Sequence, residues 1–109
     1  MPKTLTRDEL QSRITNGGAP ILIEALPEKY YAEGHLPGAK HLPHDQVNEK
    51  AAAVAPDKDA AIVVYCANID CRNSHLAAAD FEALGYANIA VYPGGKKDWE
   101  DAWLPLERN

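Results

Sequence analysis

The chain has 109 residues, 46% of them apolar and 25% charged, with a formal net charge of −5. That length suits one domain, residues 1–109, built around a single hydrophobic core. The acidic balance and the lack of any basic run argue against nucleic-acid or membrane-surface partners, and the longest apolar run falls far short of a membrane span.

Met1-Pro2-Lys3-Thr4 leads straight into a helix signal, without the apolar core of a signal peptide, so the expected location is cytoplasmic. In that compartment the two cysteines are more naturally reduced or catalytic than a structural bridge. Thr6 and Glu9 form a capping box, and Leu5 and Leu10 can staple across it. This helix should run to about Ile14 and stop at Asn16-Gly17-Gly18. Ile21-Leu22-Ile23-Glu24 reads as a short buried strand. Pro27 opens a small helix from Glu28 to about Glu33, closed by Gly34. His35-Leu36-Pro37-Gly38 is a turn, and Ala39-Lys40-His41-Leu42 a short strand. Asp45 is placed to cap a helix through Val47, Ala51 and Val54, which Pro56 ends.

Ile62-Val63-Val64-Tyr65 has four apolar β-formers in a row, as a strand covered on both faces requires. From Ser74 the period changes. Leu76, Ala77, Phe81 and Leu84 share one helical stripe, Asn73 or Ser74 can cap it, and Gly85 stands where a helix C-terminus favours glycine. Ile89-Ala90-Val91-Tyr92 is a further strand. Pro93-Gly94-Gly95 turns it into a last helix from Lys96 to Trp103. Gly94-Gly95 is too short for a nucleotide loop and suits a turn packed close to another loop. Trp99 and Trp103 read as core and rim aromatics. Strands alternating with helices predict an α/β fold, a mostly parallel sheet of about five strands with helices on both faces.

Cys66 leaves the carboxyl end of the central strand and faces a helix N-terminus. Ligands of open α/β sheets bind there, and free amide groups at a helix start favour an anion. A thiol so placed should ionise below the pKa of about 8.5 of a free cysteine. Cys66 is therefore the candidate nucleophile, the alternative being an inert core thiol at a strand end. Cys71 is either a resolving thiol that attacks an oxidised or persulfidated Cys66, or a small loop residue. Arg72 either binds an anionic group or is a solvated loop arginine. His35 reads as structural, bonded to backbone. His41 and His44 do not make a metal-ligand pattern with Cys66, Cys71 and His75, so no metal is expected.

The stretch from Glu24 to Ala39, with His35-Leu36-Pro37-Gly38, resembles the first signature of rhodanese-like sulfurtransferase domains. So do Val63-Val64-Tyr65-Cys66, Leu84-Gly85-Tyr86, and Gly94-Gly95-Lys96-Lys97-Asp98-Trp99 followed by Leu104-Pro105. The resemblance spans essentially the whole chain and implies a three-layer α/β/α domain. It also implies a sulfur carrier without a cofactor. Cys66 would accept sulfur as a persulfide from a small-molecule or protein donor and pass it to a thiophilic acceptor. Backbone amides of Ala67, Asn68, Ile69, Asp70, Cys71 and Arg72 would cradle the persulfide, with Asn73 and Ser74 in support. The chain departs from the family pattern in a longer loop, in Ile69 and Asp70 where glycine is usual, and in Glu24-Ala25-Leu26 where Asp-Val-Arg is common. Cys66 and Arg72 also fit Cys-x5-Arg, the spacing of phosphatases and arsenate reductases of this fold. Two alternatives therefore stand beside the sulfurtransferase: a thiol–disulfide or oxyanion enzyme using Cys66 with Cys71 or Arg72, and a non-catalytic docking module.

Overall fold

The computed structural model describes residues 2–108. The two terminal residues of the expected domain lie outside the described residues. Five strands form one sheet, β1 (Lys3–Thr4), β2 (Ile21–Glu24), β3 (Lys40–His41), β4 (Ile62–Tyr65) and β5 (Ile89–Tyr92), in the order β1-β5-β4-β2-β3. Every pairing is parallel. The helices are α1 (Arg7–Thr15), α2 (Glu28–Glu33), α3 (Val47–Val54), α4 (Asn73–Ala83) and α5 (Gly95–Asp101).

The apolar strands serve two cores because successive side chains point to opposite faces. Ile62 and Val64 join Ile23 and Val91 under α3 and α4, against Val47, Ala51, Ala77, Ala78 and Phe81. Val63 and Tyr65 point the other way, with Leu22, Ala90 and Tyr92, and meet Leu10 of α1 and Trp99 of α5. Two covered faces make the three-layer α/β/α arrangement that the alternation of elements predicts.

Local signals hold at several ends. The Thr6 hydroxyl accepts the Glu9 amide at 3.1 Å while the Glu9 carboxylate accepts the Thr6 amide at 3.0 Å. Thr6→Ala should therefore lower stability by about 1 kcal/mol. A lower urea midpoint with unchanged m-value is the expected measurement. α4 ends in a Schellman motif: Gly85, at φ +97°, donates to Glu82, and Tyr86 donates to Phe81. The Phe81 and Tyr86 rings then meet edge to face at 5.1 Å.

Three expectations need correction, and one strand has no signal of its own in the sequence. Asp45 caps nothing; a 3₁₀ turn at His44–Gln46 leads into α3, and Gln46 is its N-cap without a side-chain bond. The N-cap of α4 is Arg72, again without a side-chain bond, so neither Asn73 nor Ser74 has that role. The last helix stops at Asp101. Trp103, at φ +63°, takes the left-handed position after it and is 93% exposed, not a rim residue packed on the core. Finally, β1 has no apolar pattern. Lys3 and Thr4 are exposed and become a strand only by register beside Ala90 and Val91.

Candidate functional site

The sheet order reverses between β2 and β4, because β2 is followed outward by β3 while β4 lies on its other side. Crevices at the carboxyl ends of strands at such a reversal are where open α/β sheets hold ligands. Glu24 and Tyr65 pair in register there, and Cys66 follows directly.

A buried polar cluster forms the floor. The Tyr65 hydroxyl donates to Glu24 Oε1 at 2.9 Å and accepts the Leu36 amide at 3.0 Å. Lys96 Nζ lies 3.1 Å from Glu24 Oε2, which has no other partner, and donates to the Tyr30 carbonyl at 2.6 Å. The Glu24 side chain is fully buried and that of Lys96 is 12% exposed. Burial raises the Glu24 carboxyl above the ordinary carboxylate range, and the Lys96 ammonium pulls it back down. Burial, then the nearby Glu24 charge, pushes the Tyr65 phenol up, so it stays a donor. The sequence reading did not single out Glu24, Tyr65 or Lys96 as a unit. The signal was a carboxylate ending a buried strand, which needs a partner, with two lysines following Gly94-Gly95.

The loop above this floor is held by α5. Its first amides, otherwise unpaired, find loop carbonyls: Lys96 N–H bonds Cys66 at 3.0 Å and Lys97 N–H bonds Ala67 at 2.9 Å. Gly95 permits the approach. It sits at φ +65°, and a Cβ there would fall on the Cys66 carbonyl oxygen. The expected close packing of the Gly94-Gly95 turn on the Cys66 loop is thus present.

Cys66 is 1% exposed, its sulfur 3.5 Å from the hydroxyl of buried Ser74 in the first turn of α4. It is joined to Cys71 by a disulfide with a Cα separation of 6.3 Å. Cys71 is half-buried, while Ile69, Asp70 and Arg72 are exposed and Ala67, Asn68 and Asn73 are intermediate. Asn68 organises the turn: its carbonyl accepts the Cys71 amide at 3.1 Å and its side chain accepts the Asp70 amide at 3.0 Å. In this closed loop those two amides, part of the cradle expected from residues 67–72, face Asn68. The Arg72 guanidinium makes no hydrogen bond or ion pair among the described residues. The structure therefore brings Cys66, Cys71 and Ser74 together and leaves Arg72 at the rim.

His35 stacks on Tyr31 at 3.9 Å, with Nδ1 3.1 Å from the Tyr31 carbonyl, so its ring is held by structure as expected. Among the described residues no group of three or more metal-ligating side chains converges, and no helix is long and apolar enough to cross a membrane. Beside Ala67 a cavity of about 500 Å³ is lined by Tyr30, Lys96, Lys97, Glu100 and Arg108 among others. It offers room for a substrate next to the loop.

A family model described as Rhodanese-like domain matches residues 6–102. The chain is 37% identical over 73 residues to thiosulfate sulfurtransferase PspE of Escherichia coli, covering 67% of this chain and 66% of that protein. It is 29% identical over 103 residues to the HTH-type transcriptional regulator Rv0324 of Mycobacterium tuberculosis, covering 94% of this chain and 44% of that protein. Among solved structures it superposes on the BH2092 protein of Bacillus halodurans with a TM-score of 0.88 at 25% identity, covering 97% of this chain and 77% of that one. The chain thus spans less than two thirds of either curated relative.

Proposed function

The chain belongs to the rhodanese-like domain family, and on that premise we propose that it is a sulfurtransferase with Cys66 as the sulfur-carrying nucleophile. One observation carries the reading. Cys66 is the thiol at the carboxyl end of the central strand, at the sheet reversal, with its sulfur against the first turn of α4. Its thiolate attacks the sulfane sulfur of a thiosulfate- or persulfide-type donor. The new S–S bond leaves a Cys66 persulfide, and from thiosulfate the departing group is sulfite, which carries away the electron pair of the broken bond. A thiophilic acceptor, small molecule or protein, then takes the outer sulfur. The α4 start and the Ser74 hydroxyl favour the anionic sulfur. Neither a cofactor, a nucleic acid nor a membrane has a part in this chemistry.

The Cys66–Cys71 bond favours a second reading, a thiol–disulfide enzyme. Sulfite release separates the two. Reduced protein mixed with thiosulfate in a single turnover should release sulfite in proportion to enzyme, and Cys66→Ser should abolish it. Sulfite from Cys66→Ser, or a wild type that neither releases sulfite from thiosulfate nor takes sulfur from a small persulfide, would overturn the sulfurtransferase assignment.

A further inference from the structure

We propose that Cys71 resolves the Cys66 persulfide within the same chain, so that the sulfur leaves as hydrosulfide and the enzyme depends on a dithiol reductant for each cycle. This rests on the sulfurtransferase reading above and adds the fate of the sulfur and the class of the second substrate.

Three observations lead there. First, closure needs no rearrangement of the fold: the Cα separation of 6.3 Å lies inside the range that disulfides span. The β4 end and the α4 start that carry the two cysteines are fixed by the sheet and by the core under Phe81. Second, the loop's own bonds direct it toward closure. Asn68 binds the amides of Asp70 and Cys71, so the chain turns back on itself and returns Cys71 to Cys66. Third, the two sulfurs differ in access. Cys66 is 1% exposed and Cys71 half-buried beside exposed Asp70 and Arg72. An incoming thiolate therefore reaches Cys71 first, and Cys66 is the leaving group.

The cycle balances. Thiosulfate and the Cys66 thiolate give the Cys66 persulfide and sulfite. The Cys71 thiolate then attacks Cys66 Sγ. The Cys71–Cys66 bond forms, the bond to the outer sulfur breaks, and that sulfur departs with the electron pair as hydrosulfide, taking a proton from water. The sulfane sulfur is reduced by two electrons and the two cysteines are oxidised by two. A dithiol reductant attacks Cys71, frees the Cys66 thiolate, and closes its own disulfide by displacing Cys71. Overall, thiosulfate and a dithiol become sulfite, hydrosulfide and a disulfide. In the closed form Cys66 has no thiolate and is buried, so a donor cannot react before reduction.

The test is an anaerobic single turnover of pre-reduced protein, with thiosulfate and separately with cysteine persulfide, and no added thiol. Sulfite (for the thiosulfate arm), hydrosulfide and intact mass are read together. For the wild type the ratio of hydrosulfide to sulfite should approach unity and the protein should lose two hydrogens. For Cys71→Ser the ratio should fall toward zero, at whatever rate sulfite appears, and the protein should keep one added sulfur atom. A protein incubated without donor should keep both thiols, which excludes oxidation by air. A wild type that releases sulfite yet holds its sulfur as stably as Cys71→Ser would overturn the resolving role and leave the sulfurtransferase intact. No sulfite and no sulfur gain in any variant, with either donor, would remove both.

Discussion

Lys96→Met should destabilise the protein by about 3–5 kcal/mol at neutral pH, far more than a surface lysine would. Glu24 is fully buried, and among the described residues the Lys96 ammonium at 3.1 Å is the one cation against its Oε2. Without it a carboxylate stays in a low-dielectric floor with only the Tyr65 hydroxyl on its other oxygen. The effect should depend on pH with a definite sign. Burial raises the Glu24 carboxyl in the folded protein. A group raised on folding gives its full contribution below the unfolded carboxylate value and loses it as pH rises through the folded one. In Lys96→Met the largest opposing cause is gone and the Tyr65 hydrogen bond remains against burial, so the variant should regain stability on mild acidification. Glu24→Gln combined with Lys96→Met should recover much of the loss at neutral pH, since no charge is left unpaired. Urea unfolding of the three proteins at neutral and mildly acidic pH measures this. A pH-independent loss below about 1 kcal/mol would mean that the pair is solvated and does not support the loop.

The second large effect belongs to Gly95→Ala. A left-handed backbone costs a non-glycine residue about 1–2 kcal/mol, and here the new methyl also meets the Cys66 carbonyl, with Ala67 C and Asn68 N both at 3.0 Å. These are backbone atoms, so relief requires the loop to move away from α5. That breaks the Lys96 and Lys97 amide bonds to the loop, each worth about 1 kcal/mol. A total loss of at least about 2 kcal/mol is expected. Displacement of the nucleophile by about 1 Å should slow single-turnover sulfite release by about a hundredfold. Gly17→Ala is the control: its φ is +82° but nothing lies within 4 Å of the added carbon. It should show backbone strain alone and leave sulfite release unchanged. Equal effects of the two substitutions on release would show that contact with the loop carries no weight.

Both predictions concern groups far apart in sequence that meet under one loop, and this marks the division between what was legible in the chain and what was not. The local order of elements was legible because short-range physics decides it. Continuous apolar runs made β2, β4 and β5 readable to the residue. The capping box of Thr6 and Glu9 and the glycine after α4 each act within one helical turn. Cys66 could be placed at a strand end because strand and helix periods change around it. The Asp45 cap failed because a 3₁₀ turn took its place, and Trp103 because the chain turns left-handed after α5 without a glycine.

Tertiary structure alone decided the rest. β1 exists only through pairing with β5, since two exposed polar residues have no pattern of their own. Glu24, Tyr65 and Lys96 come together because parallel register and the α5 turn bring three distant segments to one point. Cys66 and Cys71 had two open readings in the sequence, since their spacing permits closure without requiring it. The turn at Asn68, between β4 and α4, brings Cys71 back beside Cys66. Sequence periodicity reports which side of an element is buried; it does not report which buried polar groups will face each other.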